Sequence, residues 1–182
     1  MLKDIDKITK ELEKEQKRLD GVIALSSQII RLSGQLITAL HSDNKPLATN
    51  LVSGLKKEMR KLRKIEKGFE YYSLQAHQEF VEALSFNELK NSRKLPSAAE
   101  LDENNISYLL GIMDLVGELK RESLDELRKG GKEKAIEYYE LMKDIYDSTL
   151  HIRFANSLLP NFRKKQDVAR IQLESVLELL SK

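Results

Sequence analysis

Apolar side chains recur every three or four positions along almost the whole chain, and no segment alternates with a period of two. Only 8 glycines and 3 prolines interrupt 182 residues, so the elements must be few and long. The pattern predicts a first helix over Leu2–His41, with Gly21 and Gly34 as weak points and Ile5, Ile8, Leu12, Leu19, Ile23, Ile30 and Ile37 as its apolar positions. Ser42–Pro46 reads as a turn, because proline suits the first turn of a following helix, here one ending near Gly68. A third helix is expected over Phe69–Asn91, broken before Pro96. A fourth is capped within Asp102–Asn105 and runs to Lys129, where Gly130-Gly131 stops it. A fifth spans Lys132–Asn156, and a sixth follows Pro160. The reading is an all-α, single-domain bundle of six to seven long helices covering residues 1–182, with no internal repeat or linker.

Composition narrows the function classes. The chain has no cysteine, which removes disulfides, thiolate ligands and thiol nucleophiles. No stretch approaches the ~18 uncharged apolar residues of a membrane helix, and the segment Met1–Asp6 is too charged to read as a signal peptide. A cytoplasmic protein without membrane attachment is expected. The formal net charge of +2, from 31 basic and 29 acidic residues, gives no global attraction to nucleic acid. Only the distribution of charge can argue for such a partner.

Two acid pairs stand out. Glu79 and Glu82, spaced i and i+3 in the third helix, project together beside an apolar face of Phe69, Tyr72, Ala76, Phe80, Ala83 and Leu84. Asp114 and Glu118, spaced i and i+4 in the fourth, leave the stripe Leu109, Ile112, Met113, Val116 and Leu119 on another side. Gly111 and Gly117 accompany this second pair. Each costs a helix interior ~1 kcal/mol relative to Ala, which fits a place where a neighbour approaches closely. Four carboxylates from two helices suit a hard cation such as Mg²⁺ or Mn²⁺. Unpaired clustered acids raise one another's pKa, and a divalent cation both resolves that conflict and supports phosphate chemistry. Spacing alone equally describes solvated faces or partners for lysine. A ferritin-like di-iron site loses most of its support, because Thr38, Leu74 and Ser148 stand three residues before the histidines, where a Glu-x-x-His motif needs Glu.

The second helix carries Lys56, Arg60, Arg63 and Lys67 in one line, with Lys57, Lys61 and Lys64 beside it. That band suits a phosphate backbone or simply a solvated face. Smaller basic groups are Lys120-Arg121, Arg128-Lys129 and Arg163-Lys164-Lys165. Arg121, near Glu118, is placed to hold a phosphate or to pair with an acid. His77 reads as a surface or packing histidine before a ligand or base, and the tyrosines Tyr71, Tyr72, Tyr138, Tyr139 and Tyr146 read mostly as core. There is no glycine-rich phosphate loop and no local hydrolytic triad.

In this order, Gln78-Glu79-Phe80-Val81-Glu82-Ala83 and the long run Tyr108-Leu109-Leu110-Gly111-Ile112-Met113-Asp114-Leu115-Val116-Gly117-Glu118-Leu119-Lys120-Arg121 resemble the paired acidic motifs of the translin/Trax family. Leu25-Ser26, Ile29–Arg31 and Ala39–His41 are similar to its first helix, and Arg163–Arg170 to the last helix of archaeal members. The resemblance implies a seven-helix subunit and a hollow, usually octameric shell around nucleic acid. Translin-type subunits bind RNA or single-stranded DNA without the full acid set; Trax-type subunits keep all four acids and cleave RNA with Mg²⁺. Glu79, Glu82, Asp114 and Glu118 match the Trax set, and Phe80 stands where many members have Tyr. The expectation is therefore a metal-dependent endoribonuclease for single-stranded or unpaired RNA, working as a homo-oligomer. The alternative is a non-catalytic RNA- or single-stranded-DNA-binding protein. Nothing in the resemblance assigns Lys56–Lys67 to RNA contact.

Overall fold

The computed structural model describes residues 2–181; Met1, where the charged N-terminal segment begins, and Lys182 lie outside them. The described residues form seven helices: α1 (Leu2–His41), α2 (Lys45–Ile65), α3 (Glu70–Ser92), α4 (Ala98–Leu101), α5 (Asn105–Arg128), α6 (Lys132–Thr149) and α7 (Phe162–Leu180). Their ends follow local chemistry. The Asn44 side chain accepts from the Leu47 amide, with Pro46 in the first turn of α2. Asn104 does the same for Ser107 at the start of α5, and Gly130, at φ +81°, follows its last turn.

The core is built on α3 and α5. α3 packs against α1 and α5, and α5 packs against α3, α6 and α7. Phe80 to Phe86 is buried without a break, so the middle of α3 is enclosed on nearly all sides rather than on a single apolar face. One contact sets the spacing of the two central helices. A Cβ added to Gly111 would lie 2.6 Å from the Gln78 carbonyl oxygen and 2.7 Å from Val81 Cβ. The α5 backbone therefore lies against α3 so closely that any Cβ here would force the two helices apart. Gly117 differs, because its nearest neighbour would be Gln172 Nε2 of α7 at an ordinary 3.4 Å.

Several expectations are corrected. α2 ends at Ile65, which leaves Lys67 in the following turn rather than on the helical line of Lys56. The fifth predicted helix stops at Thr149 instead of Asn156, and the segment 150–161 has no regular helix. The one-turn α4 was not anticipated, although Ser97 and Glu100 form a reciprocal capping box there. Ile5, Ile8, Leu12 and Ile23 on α1 are exposed, as are Tyr71 and Tyr72. An 18-residue window in α1 reaches a mean hydropathy of 1.2, a level that membrane helices share with buried core helices. Val22, Ile29, Leu36 and Leu40 of this helix are core residues, and 39% of the window is buried.

Candidate functional site

Glu79 and Glu82 on α3 and Asp114 and Glu118 on α5 come into one electrostatic field across the contact at Gly111. Glu82 is 8% exposed, between the buried Val81 and Ala83. Loss of solvation pushes its carboxyl up to about 9, and the charges of Asp114, Glu79 and Glu118 push the same way against Lys165. Glu79 is raised for the same reasons, burial first and then Asp114. Helix periodicity produces this arrangement: the i, i+3 and i, i+4 pairs each project from one side of their helix.

Basic side chains already engage the other two acids. Lys165, from α7, is ion-paired with Asp114. His41, at the C-terminus of α1, places Nε2 2.5 Å from Glu118 Oε2 and Nδ1 2.6 Å from Glu122 Oε1. Glu122 in turn accepts from Lys90 Nζ at 3.0 Å, and Lys90 reaches Asp43 at 3.2 Å. Burial pulls the imidazole pKa down, but the hydrogen bonds to Glu118 and Glu122 outweigh it and the net shift is upward. The ring lies 4.9 Å from that of Phe86, so its orientation is fixed from both edges and one face.

With these partners in place, no three acids or histidines among the described residues converge as a ready ligand shell. The donor chemistry nonetheless fits a hard divalent cation: carboxylate oxygens only, one of them in a setting where lost solvation and then neighbouring acids disfavour the charge a cation would balance. A cation bound at Asp114 would compete with its ion pair to Lys165. Beside these acids opens a cleft of about 610 Å³, lined by Gln78, Glu79, Asp114, Lys164, Lys165 and Gln172 among others. Its cations come from α7. In the sequence they formed the minor basic group, and only the packing of α7 on α5 brings them here.

The remaining candidates separate. Arg121 is exposed and close enough to depress the His41 pKa. Lys56, Arg60 and Lys67 are exposed. Arg63 is turned inward, 2.9 Å from Asp102 and 2.7 Å from Glu103, and over the Phe80 ring, so it holds the α4–α5 connection rather than offering a free charge. His77 is buried between Glu66 at 2.8 Å and Glu103 at 2.7 Å. Burial opposes its protonation, but the two carboxylates dominate and raise its pKa to about 9. His41 escaped the sequence reading as a functional residue, because its link to Glu118 spans 77 positions.

The sequence model of the Translin family matches residues 3–180. An uncharacterized protein of Methanocaldococcus jannaschii is 33% identical over 161 residues, which cover 85% of this chain and 71% of that protein. Among solved structures, crystalline apo-NeC3PO matches with a TM-score of 0.91 at 26% identity, over 99% of this chain and 97% of its own. An AfC3PO–duplex RNA complex matches with a TM-score of 0.81 at 25% identity, over 98% and 94% respectively.

Proposed function

The chain belongs to the translin family, and from that premise we propose that it is a metal-dependent endoribonuclease acting as a homo-oligomer, with an octamer the expected form. The observation that carries this reading is Glu82, a carboxyl raised first by burial and then by the charges of three further acids. A protein gains nothing in stability from such a cluster, and strained ionisation of this kind concentrates at functional sites. Glu79, Glu82, Asp114 and Glu118 would hold Mg²⁺ or Mn²⁺, which supplies Lewis acidity toward a phosphodiester at neutral pH. His41, pinned by Glu122, orients Glu118. Lys164 and Lys165 line the same cleft and supply the positive charge that seats an RNA phosphate. Lys165 would be free to take that role if Asp114 were engaged by a cation instead. Arg121 is a second candidate phosphate contact, while Lys56, Arg60 and Lys67 stand on a different helix and turn.

Unpaired or single-stranded RNA is the proposed substrate. The related AfC3PO structure contains duplex RNA, so both forms belong in the test. The second reading, a non-catalytic RNA- or single-stranded-DNA-binding protein, draws support from the links that Lys165 and His41 make to two of the four acids. Labelled single-stranded and duplex RNA, incubated with Mg²⁺ or with EDTA, separates the two. Nuclease function predicts EDTA-sensitive cleavage that Asp114→Ala/Glu118→Ala abolishes while RNA binding persists. Cleavage by the double variant at the wild-type rate would refute the assignment.

A further inference from the structure

Next to the acid cleft runs a second groove of about 790 Å³, and the two share Leu74 and Pro160 in their walls. Its chemistry is different. No lysine or arginine occurs among its described lining residues, whereas the acid cleft has Lys164 and Lys165. Its ionisable groups are Glu66, Glu70, Tyr71 and His77, and Glu66 is already paired with His77. Glu70 accepts from the Gly68 amide. Tyr71 on α3 and Phe154 in the segment 150–161 are, at 87% and 65% exposure, the most exposed aromatic rings among the described residues that line it. Leu158 adds apolar surface, and Asn105 and Ser157 add amide and hydroxyl groups.

We infer that this groove is a nucleobase subsite, in which an unpaired base of the strand crossing the acid cleft stacks on Tyr71 and Phe154. The inference rests on the nuclease or RNA-binding reading of the neighbouring cleft. Charge assigns the two compartments. A phosphate belongs where the lysines are and is repelled by Glu70, Glu66 being balanced by His77, whereas a neutral base carries no such penalty. Every base has a π-face, so exposed aromatic rings bind it without regard to sequence. Glu70, Asn105 and Ser157 offer partners for exocyclic amines and ring nitrogens, which single strands expose and duplexes conceal. A base can enter only if it is unpaired, so the groove selects substrate by strandedness rather than by sequence.

The test is equilibrium binding in EDTA, which removes cleavage from the readout. One probe is a fluorescently labelled unstructured RNA; the other is the same strand annealed to its complement. Tyr71→Ala and Phe154→Ala should each weaken single-strand binding roughly 10-fold. Duplex binding, the salt dependence and the assembly state should not change, since no phosphate contact is lost. Tyr71→Phe keeps a ring and should retain wild-type affinity. A 2-aminopurine base in the strand should be quenched on binding to the wild type and less so in the alanine variants. Unchanged single-strand affinity overturns the inference, as does an equal loss on duplex. A change of assembly state in Tyr71→Ala overturns it too, because a second copy of the chain would then be the occupant. If the wild type binds neither RNA, the proposed function itself fails, an outcome distinct from selective failure of the groove.

Discussion

Gly111→Ala places one methyl group where α5 meets α3. The new Cβ would sit 2.6 Å from the Gln78 carbonyl oxygen and 2.7 Å from Val81 Cβ. Relaxed C···O contacts lie near ~3.3 Å and C···C contacts near ~3.5 Å, so the helices must part by roughly 0.7–0.8 Å at this level. Overpacking of this kind costs about 1–3 kcal/mol, offset by the ~1 kcal/mol that Ala gains over Gly in a helix. The net expectation is a loss of about 0–2 kcal/mol in urea unfolding. The effect on cleavage should be larger, because Asp114 lies one turn after Gly111, and Glu79 lies beside Gln78. A misplacement approaching 1 Å between two halves of a site can cost on the order of 100-fold in rate. Gly117→Ala is the internal control, since only an ordinary 3.4 Å contact awaits it, and it should stabilise by up to ~1 kcal/mol. Far-ultraviolet circular dichroism melts and single-turnover cleavage measure both effects. If Gly111→Ala proves as stabilising as Gly117→Ala and cuts RNA at the wild-type rate, the close approach does not set the acid site.

Glu82→Gln should stabilise the metal-free protein at neutral pH while abolishing cleavage. A carboxyl raised to about 9 in the fold loses stability as pH rises from its unfolded value toward that point, a gap of roughly 3 kcal/mol at pH 7. The two proteins should converge in acid, and a Gln variant no more stable than wild type would count against the burial described. His77 has the same sign from a different cause: its folded pKa of about 9 exceeds the unfolded 6.5. Its contribution is full below pH 6.5 and is lost as pH rises through 9, about 3 kcal/mol in all. Urea unfolding across that window should show a shallower slope for His77→Gln, and parallel slopes would refute the pairing. Lys165→Met should tighten Mn²⁺ binding in calorimetry by removing a competing cation, yet weaken RNA binding and lower its salt slope by about 1. Loss of both affinities together would instead mean that Lys165 only holds the fold.

Much of this was legible because helices obey short-range rules. The bounds of α1 and the starts of α2 and α6 follow from proline, glycine and capping residues, and the acid pairs follow from i, i+3 and i, i+4 spacing. The motifs around Glu79 and Asp114 identified the family before any geometry did. What could not be read required three dimensions. Arg63 looks like any member of a basic stripe, yet it faces Asp102 and Glu103 nearly forty residues away. Lys165 and His41 reach the acids from opposite ends of the chain. The segment 150–161 continues an apolar rhythm without forming a helix, and it supplies Phe154 to the groove. α4 was the avoidable miss, because Ser97-x-x-Glu100 is a capping signal in plain sequence.

The first half of α1 has a thermodynamic consequence of its own. From Asp4 to Lys17 every residue is exposed, which at ~1.5 Å per residue is about 21 Å of helix with no buried face. Pairs such as Lys7–Glu11 and Glu15–Arg18 support it only locally, and a free helix of this length is marginal in water. Ile5, Ile8 and Leu12 add an apolar edge that its own subunit does not cover. Order in this arm is therefore a colligative matter, a function of how much of any covering surface the solution holds. Its amides should exchange faster on dilution while those of α3 and α5 do not, and one chain would then have two melting behaviours, only one of them independent of concentration.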